Sequence, residues 1–451
     1  MNNKEQFKRI LSFFTSLILM SVFVIAFGYV WYVFYRGITV DGIEILDYYR
    51  RGHWVVIGIY AIIMMLFMNI YGSYKVWYLK TEDAIYSQII SIICANVVEY
   101  FQISLIGKDF MPVSPMVMLT VFDLVFAFAW TFGISALFRK LYPPRKMIMI
   151  YDGSKNAQTL VEKMSLRSDK YMICKAICVS NGLDKILYEI QNYDSLIICD
   201  IDNELKSKLV KYCFKNHKRA YITPSISDII IRGADDVTLF DTPLVLCRNN
   251  GLSFEQRFFK RGFDILVSGI ALIPLSIVML GCAIAIKLED GGKVFYKQVR
   301  LTKDGKEFKI YKFRSMIENA EANGPQLAQD NDSRITKVGA VLRKYRLDEI
   351  PQLLNILKGD MSIIGPRPER PELTEKYEKT MPEFTYRLNV KAGLTGYAQV
   401  TGKYDTTPYD KLKMDLMYIE NYSLLLDIKI CFMTLKIILF PVKTNSEELG
   451  E

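Results

Sequence analysis

The sequence predicts three regions in order: a membrane α-helical region, a cytosolic α/β domain with a parallel sheet, and a mixed α/β domain carrying a re-entrant membrane helix. Three observations predict this. Four apolar runs of near-spanning length fill residues 1–144, and short apolar strands then alternate with helical patterns over 145–250. A further apolar run at 265–286, broken by Pro274, opens a basic remainder over 251–451. The 451 residues suffice for two or three domains, and a hydrophobic content of 51% with 13% aromatics suits membrane contact. The net charge of +9 suits an anionic membrane surface or phosphate-bearing substrates. No nucleic-acid-binding signature accompanies that charge, so nucleic acid is not an expected partner.

The four apolar runs lie at about 10–35, 54–71, 84–106 and 115–138, each near the ~20 residues a spanning helix needs. The first is too long for a signal peptide and runs on into Tyr29, Trp31 and Tyr32 rather than a small-residue cleavage site. Lys4, Lys8, Arg9, Lys75, Lys80, Arg139, Lys140, Arg145 and Lys146 fall on one side, against Arg36, Arg50, Arg51 and Lys108 on the other. That asymmetry puts both ends of the region in the cytoplasm. Asp123 and Glu99 lie within the fourth and third runs and are expected to bond between helices or sit at the interface. Anchoring is the role expected of the region.

A buried strand ending in a turn is expected over Lys146–Gly153, with further strands at 171–179, 195–200 and 219–222 and a helix from Ala157 to Met164 after the first. Such alternation implies a Rossmann-like layer around a parallel sheet. A dinucleotide fingerprint would need Gly-x-Gly-x-x-Gly after the first strand, and only Gly153 is there. A structural or dimer-forming module is therefore expected ahead of a nucleotide site.

The run Ile265–Ile286 is long enough to cross a bilayer. Crossing would carry nine Lys/Arg between Lys287 and Arg314 outside, against the positive-inside bias. A helix over about 264–287 that dips in, kinks at Pro274 and returns to the same face avoids this. Two short strands around 294–300 and 309–316 then display Lys297, Arg300, Lys312 and Arg314, and the polar segment Glu318–Ser333 is expected to be a mobile loop. The glycine-rich stretch Lys391–Gly402 supplies a turn, the segment from Tyr418 to Met433 suits the membrane interface, and an acidic tail starts at Lys443.

The chemistry concentrates between Arg343 and Pro371. Asp348 and Glu349 stand side by side before Pro351 and the stripe Ile350, Leu353, Leu354 and Leu357, which reads as a helix with the acids at its N-terminus. Arg343, Arg346 and Arg367 flank the pair, and Arg can grip phosphate in a fork. The eight cysteines show no Cys-x-x-Cys and no ligand spacing, and the only histidines, His53 and His217, lie elsewhere. Carboxylates are left to do the work. Two readings stay open on spacing alone: a metal-assisted phosphoryl transfer, or a helix cap beside a solvated charge.

Leu347-Asp-Glu-x-Pro-Gln-Leu-x-Asn-x-Leu-x-Gly-Asp-Met-Ser362, followed by Gly365-Pro-Arg-Pro-Glu369, resembles the core of the bacterial sugar transferases, the monotopic phosphoglycosyl transferases. The resemblance covers residues 257 to about 440. It implies a membrane enzyme that moves a sugar 1-phosphate from a UDP-sugar to undecaprenyl phosphate, releasing UMP and starting an exopolysaccharide, capsule or O-antigen repeat unit. It makes Asp348 the nucleophile, places Lys312 and Arg314 of the Lys-Phe-Arg stretch at the site, and implies the re-entrant helix and the large members' order of regions. Glu349 is expected to hold Mg²⁺, and Arg343 and Arg367 the diphosphate. The expected setting is the bacterial cytoplasmic membrane with the catalytic domain on the cytoplasmic face, in contact with membrane lipid and with room for a homodimer. Two departures stand out: Ile273-Pro274 replaces the family's usual Ser-Pro, and Tyr397 stands near its usual Trp. The rival readings are a polytopic glycosyltransferase making a glycosidic bond and a non-catalytic nucleotide-sensing scaffold.

Overall fold

The computed structural model describes residues 3–40, 43–44, 51–153, 155–248, 251–318, 332–402 and 406–440. The chain forms two compact units, Met1–Pro224 and Ser225–Glu451.

The first unit opens with α1 (Asn3–Val30), which runs on through a π-helical turn at Trp31–Tyr35, and a minimal antiparallel pair, β1 (Thr39–Val40) and β2 (Ile43–Glu44). Then come α2 (Gly52–Tyr71), α3 (Thr81–Gly107) and α4 (Ser114–Leu141). Gln6–Tyr35 and these three helices are each long and apolar enough to cross a membrane. Their inward faces carry polar groups that bond across helices. Tyr60 Oη donates to Asn96 Oδ1 at 3.1 Å and to Asp123 Oδ2 at 3.4 Å, and Asn96 Nδ2 donates to Thr120 Oγ1 at 3.0 Å. Asp123 thus joins α2, α3 and α4, as an acid buried between helices should. Glu99 is buried too, with no hydrogen-bond partner for its carboxylate among the described residues.

The same unit continues with β3 (Arg145–Tyr151), α5 (Lys155–Ser165), β4 (Tyr171–Cys178), α6 (Leu183–Ile190), β5 (Ser195–Cys199), α7 (Asn203–Lys215) and β6 (Arg219–Ile222). The four strands are parallel, in the order β4-β3-β5-β6. Alternation sorts their side chains onto two faces. Ile148, Ile150, Leu196 and Ile198 pack with Ile186, Ile190 and Leu209, while Met147, Met149, Ile197 and Cys199 pack with Ala157. Burial on both faces explains why these strands read as continuous apolar runs.

The second unit begins with α8 (Ile226–Arg232), whose Ile229 enters its core, and the antiparallel hairpin β7 (Asp235–Leu239) and β8 (Thr242–Leu246). Next is α9 (Phe254–Asp290), the fifth helix apolar and long enough to cross a membrane. Ser253 starts it with a capping box to Gln256, and Pro274 lies inside it. Ser276 Oγ donates to Ile273 O at 2.7 Å and Ser268 Oγ to Asp264 O, so neither hydroxyl serves Ile270 O, the carbonyl that Pro274 leaves without its usual donor.

An antiparallel pair, β9 (Phe295–Leu301) and β10 (Glu307–Phe313), leads to α10 (Lys337–Lys344) and α11 (Gln352–Lys358). The chain ends with β11 (Ser362–Ile364), α12 (Pro371–Glu378), β12 (Gly393–Thr395), α13 (Tyr397–Thr401), α14 (Pro408–Glu420) and α15 (Leu424–Leu439), β11 pairing parallel with β12. Most of the loop expected at Glu318–Ser333, and the tail from Lys443, lie outside the described residues.

Candidate active site

The acidic pair stands on a 3-10 turn, Leu347–Glu349, and not in the first turn of the following helix, which starts only at Gln352 with Pro351 as its cap. Arg346, held at a left-handed φ of 54°, turns the chain out of α10 and into that turn. Neutralisation of the pair therefore comes from side chains more than from a helix dipole. The burial phase of α11 also differs from the stripe expected. Leu354 is exposed while Asn355 and Ile356 are fully buried, because α11 is covered from two sides by β10 and β11.

Asn355 is what seats the helix. Its Oδ1 accepts from Tyr311 N at 2.9 Å and its Nδ2 donates to Lys309 O at 2.8 Å, zipping α11 onto β10. At the far end, Arg261 of α9 donates to Ile356 O at 2.6 Å and Leu357 O at 2.7 Å, and Lys391 donates to Gly359 O at 2.7 Å. These satisfy carbonyls left open at a helix C-terminus. Asn355 was readable only as a polar residue inside an apolar run, and Arg261 carries no signal of this role in sequence.

With α11 seated, Lys312 Nζ reaches Glu349 Oε1 at 3.0 Å and Arg367 Nη2 reaches the same oxygen at 2.9 Å. Burial pushes the Glu349 carboxyl up, but Arg367 and Lys312 outweigh it and hold the group well below the usual carboxylate range. Asp348 is different. Burial pushes its carboxyl up and outweighs the pull of Lys312, Arg343 and Arg367, with the Glu349 charge adding to the rise. Among the described residues no hydrogen bond is made to the Asp348 carboxylate. One acid is gripped and ionised; its neighbour is unencumbered.

Arg343 stands close enough to act electrostatically on Asp348, and its Nε donates to Ser315 Oγ at 2.8 Å. Arg314 is engaged elsewhere, in an ion pair with Asp290 at the end of α9. Lys312, Arg343, Arg367, Asp348 and Glu349 thus come together, and Arg314 acts on the seam between α9 and β10. The glycine-rich turn is occupied by backbone: a Cβ on Gly393 would lie 2.6 Å from Gly365 Cα, so the turn braces the Pro366–Pro368 strap. Among the described residues no three His, Cys, Asp or Glu side chains gather to hold a metal ion, so a cation here would have the acidic pair alone as protein ligands. Two adjacent carboxylates suit Mg²⁺, which commonly takes one or two protein carboxylates with substrate phosphates, and Glu349 Oε2 has no partner among the described residues.

Carboxylates set among fixed cations, beside an apolar helix, have the chemistry that suits phosphate anions. Residues 255–441 match the family described as bacterial sugar transferase. The chain is 48% identical over 185 residues to a UDP-N-acetylgalactosamine-undecaprenyl-phosphate N-acetylgalactosaminephosphotransferase of Aeromonas hydrophila, covering 40% of this chain and 44% of that protein. It is 41% identical over 209 residues to a UDP-glucose:undecaprenyl-phosphate glucose-1-phosphate transferase of Klebsiella pneumoniae, covering 45% and 43%. It is 39% identical over 191 residues to the exopolysaccharide production protein ExoY of Sinorhizobium fredii, covering 39% of this chain and 83% of that protein. The chain thus spans less than half the length of the first two relatives and most of the third. It belongs to the bacterial sugar transferase family.

Proposed function

We propose that the chain transfers a hexose 1-phosphate from a UDP-sugar to undecaprenyl phosphate, releasing UMP and starting a surface polysaccharide repeat unit. The observation that carries this is the division of labour at the acidic turn, with Glu349 pinned by Lys312 and Arg367 beside an unbonded Asp348. An oxygen of Asp348 attacks the phosphorus bearing the sugar, the phosphoanhydride bond breaks, and UMP departs with the bridging oxygen. A phosphate oxygen of the lipid then attacks the same phosphorus, displacing Asp348 and leaving a sugar diphospholipid. Dividing the reaction lets each polyanion react alone with the enzyme. Arg343 and Arg367 would hold the diphosphate. Mg²⁺ held by Glu349 would neutralise charge on the phosphate oxygens.

The rest of the reading is architectural. The first four apolar helices anchor the chain in the cytoplasmic membrane, the parallel sheet after them is a Rossmann-like module, and the catalytic part works on the cytoplasmic face. We read α9 as re-entrant. In support, Val267, Ala271 and Leu272 pack on the core around Ile356 and Ile363, while Cys282 and Ile286 pack with Phe313 and Leu342 of the same unit.

The test is incubation with a panel of UDP-sugars and no acceptor. UMP should appear in stoichiometric amount with one of them, with the label on a peptide containing Asp348, and Asp348→Asn should abolish both. Release only after lipid phosphate is added, or a label on Glu349, would overturn the assignment. A polytopic glycosyltransferase would instead give a product with a single phosphate.

A further inference from the structure

We propose that Arg387 is a positioning residue that sets the strap carrying Arg367; this rests on the function proposed above. The strap is Pro366-Arg367-Pro368. Two of its three residues lack an N–H, so it cannot be held by a strand ladder and must be fixed through its carbonyls. Those are the groups gripped. Gly393 N donates to Pro366 O at 2.9 Å, Arg387 Nη2 to Arg367 O at 3.0 Å and Arg300 Nη1 to Pro368 O at 3.2 Å, and just beyond the strap Leu301 N donates to Glu369 O at 3.0 Å. The Arg367 side chain is itself 46% exposed, and among the described residues its one side-chain hydrogen bond is the one to Glu349. Where its guanidinium meets Glu349 is decided by the backbone beneath it.

Arg387 is built for this task. Its side chain is 5% exposed and lies 2.8 Å from Asp415 Oδ2 of α14, itself 2% exposed. The guanidinium also sits 5.0 Å from the Phe384 ring centroid and 3.6 Å from Glu369 Oε1. A buried ion pair of this kind recovers its desolvation cost poorly and is often matched in stability by an apolar pair. What an apolar pair cannot supply is a rigid fork with one N–H aimed at Arg367 O. Asp415 sets an opposite charge against the fork in the core, and the fork places the strap.

The experiment is a double-mutant cycle in the full chain. R387Q/D415N removes both buried charges together and is measured alone and on an R367M background. We expect the pair change to lower UMP release by about 10- to 100-fold in the parent, the range for ångström-scale misplacement, and by less than about twofold once Arg367 is gone. A residue that only supports the fold would cost the same factor in both backgrounds, and that result overturns the proposal, as does an unchanged rate in the folded variant. Should R387Q/D415N not fold, R387K keeps the buried charge without the fork and is read through the same cycle. Hydrogen exchange over residues 363–372 gives a readout independent of turnover: it should rise in the variant, and unchanged protection counts against the clamp. If the unaltered chain releases no UMP from any UDP-sugar, the functional reading fails, while the exchange result still decides whether Arg387 holds the strap.

Discussion

Gly339 tests whether α10 positions Arg343. A Cβ there would overlap the Ser315 carbonyl oxygen and lie 2.6 Å from the carbonyl carbon and 2.8 Å from its Cα, all backbone atoms that cannot swing aside. The first distance is 0.8 Å short of the 3.4 Å at which ordinary contact begins. Because the carbonyl oxygen lies nearer still, Gly339→Ala pushes α10 away from residue 315 by more than that shortfall. The two are tied where it matters, since Thr336 N donates to Ser315 O at 3.2 Å and Arg343 Nε to Ser315 Oγ at 2.8 Å. Alanine recovers about 1 kcal/mol of helix propensity, against ~1–3 kcal/mol for overpacking, so the net loss of stability is at most about 2 kcal/mol. Misplacing a substrate-holding group by ~1 Å can cost about 100-fold. The expected outcome is a folded protein with a modestly lower melting point and a UMP release rate down about 10- to 100-fold. Gly262→Ala is the control, because a Cβ there meets nothing within 4 Å. Equal rates for Gly339→Ala and the control would refute the reasoning.

Three further outcomes follow from the same geometry. Glu349 is held below its ordinary range, so the stability it contributes is present above the unfolded value of about 4.3 and is lost only as pH falls through the folded one. Lys312→Met weakens the hold, so its acid-unfolding midpoint, followed by circular dichroism in detergent, should lie at higher pH than the parent's; coincident midpoints count against the grip. Lys260 Nζ pairs with Asp427 Oδ2 at 2.6 Å, the two side chains being 7% and 0% exposed. Lys260→Met should cost ~3–5 kcal/mol in denaturant titrations, with part recovered on adding Asp427→Asn, and a loss below ~1 kcal/mol would show the pair to be dispensable. Cysteines introduced on both sides of residues 265–286 should react only with reagent on the cytoplasmic side, and labelling beyond residue 287 from the other face would overturn the re-entrant reading.

How much of this was legible in sequence depended on the range of the forces involved. The four apolar helices and the strands at 145–222 were visible because each is specified locally, by length and by period. The acidic turn was visible because its residues are contiguous. Arg314 shows the limit. Its spacing marks it as basic and near Lys312, yet its partner is Asp290, on a different element, and no local pattern announces that pairing. The start of α11 was misplaced for a related reason. Pro351 is compatible with a first helical turn, but the left-handed Arg346 closes α10 so tightly that the chain makes a 3-10 turn first.

That tight turn bears on how the site keeps its two acids unlike. In a regular first helical turn, adjacent carboxylates would share the same end of the dipole and similar solvation. Here α11 is held from behind by Arg261 and Lys391 and along its side by Asn355, so the turn before it projects at a set angle. Glu349 meets both cations, and Asp348 is left half-buried with no hydrogen bond among the described residues. Since neither Lys312 nor Arg367 lies near the acids in sequence, the asymmetry depends on β10 and the strap each arriving in register. Arg261 belongs to the apolar helix α9, so the seating of that helix and the placement of the acids share one set of hydrogen bonds.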